Sequence, residues 1–162
     1  MQATLIAGPA AEPLTLAQVK AHLRVDMDED DALITALVVA AREQAEFLLG
    51  QRLLTQSWQL QLKAGEQLSL EGFLPIQSIT ATSSYAMTPH WPTVLSTAAD
   101  NTISITCGFG DVQAVPQSIK QWMLLRIGGW YEQRESLVSS QWQDASHRFA
   151  DVLLDAWRVP RC

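Results

Sequence analysis

The residues best placed to do chemistry lie in ISITCGFGDVQAVPQ, residues 103–117. A strand predicted from Ile103 to Cys107 runs into Gly108-Phe109-Gly110-Asp111, and a helix opens at Pro116. Strand, glycine turn and helix is the order in which phosphate-binding loops are built. The details do not fit. A dinucleotide fingerprint needs a third glycine where Gln113 stands, and a P-loop needs Gly-Lys-Ser/Thr where the chain reads Val115-Pro116-Gln117. Proline also removes one of the N–H groups that a phosphate would use. The spacing therefore favours a corner, with Gly108 and Gly110 taking backbone angles that other residues resist.

A second candidate is the acidic run Asp26-Met27-Asp28-Glu29-Asp30-Asp31. So many carboxylates suggest a metal. The run lacks the glycine and the closing glutamate of a calcium loop. The simpler reading is a helix N-terminus, where acids complement the macrodipole. His22, His90 and His147 have no ligand-spaced partners, and neither Cys107 nor Cys162 sits in a nucleophile motif. These features predict no catalytic residue, no metal and no cofactor.

The elements that must position these groups follow from hydrophobic period. In Leu14-Thr15-Leu16-Ala17-Gln18-Val19, Thr15 and Gln18 have the spacing of a capping box, and Leu14 and Val19 fall at the staple positions. Helices are expected near 16–24, 29–49, 116–134 and 146–157. Gly50 is placed to stop the second, and Pro116 to start the third. Gly128-Gly129 lies inside the third helix, where each glycine costs about 1 kcal/mol relative to alanine, so close approach by another helix or subunit is expected there. Between 54 and 107 the period changes to two. Trp58, Leu60 and Leu62 mark one strand, Leu68 and Leu70 a partner after the Gly65 turn, Ile76–Thr82 a third and Thr102–Cys107 the last. The fold class expected is α+β, predominantly α-helical, with a small, mostly antiparallel β element. Residues 1–162 are expected to form one domain, with an arm at 1–13 and a tail at 158–162.

Composition narrows the classes further. The 162 residues are 48% apolar and carry a net charge of −6, which disfavours a domain-wide basic surface for nucleic acid. Two cysteines make no disulfide framework and suit a reducing cytoplasm. Neither a secretory segment nor a membrane span is expected. The six tryptophans exceed what a small core plainly needs, so some can serve subunit contacts.

The stretches EPLTLAQVKAHLRVDMDEDDALITALVVAAREQAE, GQRLLTQSWQLQL, ITCGFGDVQAVPQSIKQWMLLRIGGWYEQRES and the terminal WRVP together resemble the head–tail connector, or adaptor, family of tailed bacteriophages and prophages. Residues 83–101 are the least characteristic part. The resemblance implies a non-enzymatic structural virion protein with a helical core and a small β element. It implies a homo-oligomeric ring, commonly of about twelve copies, seated beneath the portal protein at the head–tail interface and assembled in the host cytoplasm. Such a ring extends the DNA channel, lets the genome pass without specific binding, and offers a platform to a tail-completion or stopper protein.

Three sets of residues are expected to matter. Trp157, Arg158, Val159 and Arg161 are candidates for docking the portal or a neighbouring subunit. Gly128, Gly129 and Trp130 mark the expected close approach. Asp28, Glu29, Asp30 and Asp31 are candidates for an exposed acidic surface. Two other classes stay open at this point. One is a nucleic-acid-binding adaptor, which needs Lys20, Arg24, Arg42, Arg52, Lys63, Lys120, Arg126 and Arg134 on one face. The other is an enzyme with a non-local site.

Overall fold

The computed structural model describes residues 2–88, 93–132 and 150–159. The chain is α+β, and its contacts gather into two compact units. The described residues within 1–11 and 50–111, with Val159, form a unit of strands, and those within 12–49 and 112–158 a unit of helices.

In the helical unit, α1 (Leu16–Leu23) opens as its sequence dictates. The Thr15 hydroxyl accepts from the Gln18 N–H, and the Gln18 side chain accepts from the Thr15 N–H. Leu14 and Val19 are both buried. Arg24 ends the helix in the left-handed conformation, φ 58°. Helix α2 (Asp31–Leu49) starts two residues later than its acidic lead suggested, and Gly50 follows it at φ 69°. Ile34, Val38, Ala41, Ala45 and Leu49 are buried along one face, the i, i+4 stripe of a helix laid on a core. Helix α3 (Gln117–Glu132) buries Ile119, Trp122, Met123 and Ile127. Residues 150–155 are helical too, and bury Ala150 and Leu154. Residue 146, where a helix start was expected, lies outside the described residues.

The other unit is two antiparallel sheets. One has the order β1-β2-β7-β4, with β1 Gln2–Ala7, β2 Gln56–Leu62, β4 Ile76–Ala81 and β7 Asn101–Cys107. The other has the order β3-β6-β5, with β3 Gln67–Ser69, β5 Tyr85–Met87 and β6 Val94–Thr97. In β7 every second residue is buried, as period-two alternation requires. Ile103 opposes Leu60 on one side and Ala81 on the other, and Ile105 opposes Trp58 and Ile79. These residues join Leu62, Leu68, Leu70, Phe73, Leu95 and Cys107 in one apolar cluster. Fully burying each leucine or isoleucine is worth roughly 2 kcal/mol. Trp58 meets Phe73 edge to face, with ring centroids 5.7 Å apart.

Three expectations change here. Residues 1–13, read as an arm without a clear period, contain a strand, because Gln2–Ala7 pairs antiparallel with β2. The strand carrying Leu68 does not pair with β2 across the Gly65 turn but with β6 in the second sheet. The least characteristic stretch supplies β5 and β6. Strands therefore build a complete unit of their own, and α1, α2 and α3 form where the hydrophobic period expects them along the chain.

Candidate functional site

The glycine turn is a structural corner. Gly108 has φ 119° and Gly110 φ 140°, both on the glycine side of the map. A β-carbon at Gly108 would stand 2.2 Å from the Leu54 carbonyl oxygen. The Gly108 N–H donates to the Pro75 carbonyl at 2.8 Å, and its carbonyl accepts from Gln77 Nε2 at 2.9 Å. The Gly110 carbonyl accepts from both the N–H and the hydroxyl of Thr55. A phosphate cradle turns free N–H groups toward a ligand. Here the N–H of Gly108 and the carbonyls of both glycines bind the unit's own backbone and side chains.

The cations named for a nucleic-acid face are largely engaged within the chain. Lys20 Nζ lies 2.7 Å from both Asp28 and Asp31. Buried Arg42 pairs with Glu12 at 2.8 Å and with buried Glu46 at 3.5 Å. Lys120 is buried and donates to the Val112 carbonyl. Arg52 donates to the Gly72 carbonyl and lies over the Trp58 ring, and Arg126 donates to Gln44 and lies over Trp122. Arg134 lies outside the described residues. Side chains held this way have little freedom to track a phosphate backbone.

Titratable groups also line a cleft of about 550 Å³ in the strand unit, among them Lys63, Glu66 and Asp100. They close turns. Glu66 accepts from the Lys63 N–H, which holds its carboxyl below the ordinary range. Asp100 accepts from the Ala64 N–H. Among the described residues no group of His, Cys, Asp and Glu is placed to hold a metal ion. No described helix is long and apolar enough to cross a membrane.

The acidic run divides in two. Asp28 and Glu29 are exposed, whereas Asp30 and Asp31 are half-buried at the start of α2. Asp30 accepts from the Tyr131 hydroxyl of α3. Hydrogen bonds from Lys20, before coulombic attraction, push the Asp28 carboxyl below its ordinary value, and the bond to Asp28 followed by that to Asp31 raises the lysine. Two of the four acids thus have a cation beside them, which trims the negative field of the run.

In α3, a β-carbon on Gly128 would meet His22 Nε2 at 3.6 Å and Leu23 Cδ2 at 3.9 Å, ordinary contact with α1. At Gly129 no atom of the described residues stands within 4 Å. Trp130 is half-buried. At the C-terminal end the Trp157 indole N–H donates to Ser118 Oγ at 3.1 Å, and the residue is 37% exposed. Arg158 pairs with Asp155 at 3.2 Å, and Val159 is half-buried. Arg161 lies outside the described residues. The tryptophan is therefore anchored to the first turn of α3 while part of its ring stays open. Trp122 is buried outright, with its N–H on Asp151 at 2.9 Å. Sequence reasoning missed the strand β1. Its alternation is masked by Leu5-Ile6, which are both exposed, so neither period appears.

Residues 13–86 match the family described as phage gp6-like head-tail connector protein. None of the curated proteins matches the chain. Among solved structures, a chain from "Neck of empty GTA particle computed with C6 symmetry" superposes with TM-score 0.75 at 20% identity, covering 100% of this chain and 97% of that one. A chain from "Virion of native gene transfer agent (GTA) particle" gives 0.72 at 19% identity, with coverage of 100% and 97%. One from "Neck of native GTA particle computed with C12 symmetry" gives 0.64 at 21%, covering 98% and 97%. Over residues 13–86 the chain carries the pattern of the phage gp6-like head–tail connector family, and over its whole length it has the fold of these particle chains.

Proposed function

We propose that this protein is a structural subunit of a head–tail connector ring, joining the head of a phage-like particle to its tail and continuing the channel for DNA. The observation that carries this reading is the family match over 13–86 combined with a full-length likeness to neck chains. The sixfold and twelvefold symmetry named for those particles supports a ring of about that order. The subunit works by shape and contact and performs no reaction. Its portal side takes the C-terminal end, where Trp157 offers a partly open ring and residues 158–162 carry Arg158 and Arg161 into an acidic protein. A tail-completion protein binds the opposite side of the ring. With most named cations engaged internally, duplex DNA passes without being gripped.

The test is reconstitution with the portal protein of the same particle, read by electron microscopy and native mass spectrometry. A ring of this chain seated on the portal is expected. Deleting residues 158–162 should leave the monomer folded, since Trp157 keeps its bond to Ser118, and should weaken portal or neighbour attachment. Duplex DNA should bind weakly and be released at physiological salt. No complex with portal protein, or DNA binding that resists salt, overturns the reading.

A further inference from the structure

We infer that copies of this chain join edge to edge through the four-stranded sheet, with β1 of one copy pairing antiparallel to β4 of the next. The inference rests on the ring reading and names its contact. Within the described residues β1 ends the sheet on one side and β4 ends it on the other. An open edge presents unpaired N–H and C=O groups, and monomeric proteins usually blunt it with lysine, proline, inward charges or bulges. Neither Gln2–Ala7 nor Ile76–Ala81 contains a charged residue or a proline. Each edge has one irregularity, at Leu5/Ala7 and at Ile76/Ser78. That leaves two regular stretches of equal length, Gln2–Leu5 and Ser78–Ala81.

Direction and face both agree. Three antiparallel steps separate β1 from β4, so the two strands run opposite ways. A second copy set beside the first in the plane of the sheet therefore brings its β1 antiparallel to β4. On the side of the apolar cluster, Ala3 and Leu5 oppose Leu60 and Trp58, while Ile79 and Ala81 oppose Ile105 and Ile103. Continuing the pleat sets Ala3 and Leu5 beside Ile79 and Ala81. On the other face Thr4 comes beside Ser78 and Thr80. No charge loses water in this contact, and Leu5, 46% exposed in the single chain, gains apolar neighbours. The two edges differ, so the contact is heterologous, the kind from which a ring is built when the rotation per copy closes, whereas β1 on β1 would stop at a dimer.

The experiment places one charge on each edge. Leu5→Lys blocks β1 and Ala81→Lys blocks β4, with folding checked by circular dichroism. Assembly is measured by native mass spectrometry, alone and on portal protein. Each variant alone should lose the ring, and an equimolar mixture should give heterodimers through the edge each still has open. As a second measurement independent of these substitutions, Thr4→Cys with Thr80→Cys, in a Cys162→Ser background, is treated with a short bis-maleimide during assembly. A ladder of cross-linked oligomers is expected, and chains with only one added cysteine should give none, because each contact then carries a single thiol. Rings formed by either lysine variant, or rings of the cysteine pair that give no ladder, overturn the edge pairing and leave the connector reading standing. A wild-type chain that forms no ring even with portal protein overturns the connector reading, and the inference with it.

Discussion

Replacing Gly108 by alanine tests whether the glycine turn is a corner or a ligand cradle. At φ 119° a residue with a side chain is strained by about 1–3 kcal/mol. The new methyl would stand 2.2 Å from the Leu54 oxygen, 2.5 Å from its carbonyl carbon and 2.9 Å from the Thr55 nitrogen. All three are backbone atoms, so no flexible side chain can swing aside. Relief requires moving the strand entry at Leu54-Thr55, which strains the bonds from Gly108 to Pro75 and from Thr55 to Gly110. Each such bond contributes about 1 kcal/mol net. The sum is about 3–5 kcal/mol, a large share of a typical domain's stability. Gly65→Ala is the control, because Gly65 has φ 79° but no atom of the described residues within 4 Å of the added carbon. It carries the backbone strain without the clash. Urea titration of both variants should place Gly108→Ala well below Gly65→Ala. Equal loss in the two would refute the close-approach argument. A stable Gly108→Ala chain that has lost a nucleotide affinity present in the wild type would revive the phosphate loop.

Gly129→Ala should raise monomer stability by about 1 kcal/mol, since the site has room and alanine is the better helix former. Gly129→Leu should fold but assemble poorly, and normal assembly would show that no neighbour approaches there. Arg42→Met should cost about 3 kcal/mol in a denaturant titration, because it removes the guanidinium that pairs with Glu12 and with the nearly buried Glu46; a neutral result would show that the network contributes nothing net. The Lys20–Asp28 pair should hold between the ordinary aspartate and lysine values of 3.8 and 10.5. The contribution of Asp28, whose pKa is lowered, is lost as pH falls through that lowered value. The contribution of Lys20, whose pKa is raised, is lost as pH rises through its raised value. Carbon-detected NMR should find Asp28 titrating below 3.8, and a midpoint at or above that value would contradict the pairing.

Helices were legible because their determinants are local. The Thr15–Gln18 box, the stop at Gly50 and the start at Pro116 each act within one turn, and the apolar stripe of α2 is a property of 19 consecutive residues. The turn at Gly108 was legible for the same reason, as a position where only glycine fits. The absence of complete nucleotide, zinc and nucleophile motifs was likewise read directly from residue spacing. Strand partners were not legible. Leu68 alternates as well in one sheet as in another, and its pairing with Leu95 depends on chain 27 residues away. Strand β1 shows no burial period because both its faces are exposed, so only its hydrogen bonds to β2, fifty or more residues on, define it. The open edges of β1 and β4 exist only once the sheet is assembled. Charge behaved in the same way. Net charge is a sum over residues, but the engagement of Lys20, Arg42, Arg52, Lys120 and Arg126 inside the chain depends on side chains brought together from distant positions. Local order follows from neighbours along the chain, whereas pairing and exposure follow from closing loops between distant segments, whose partners no short window contains.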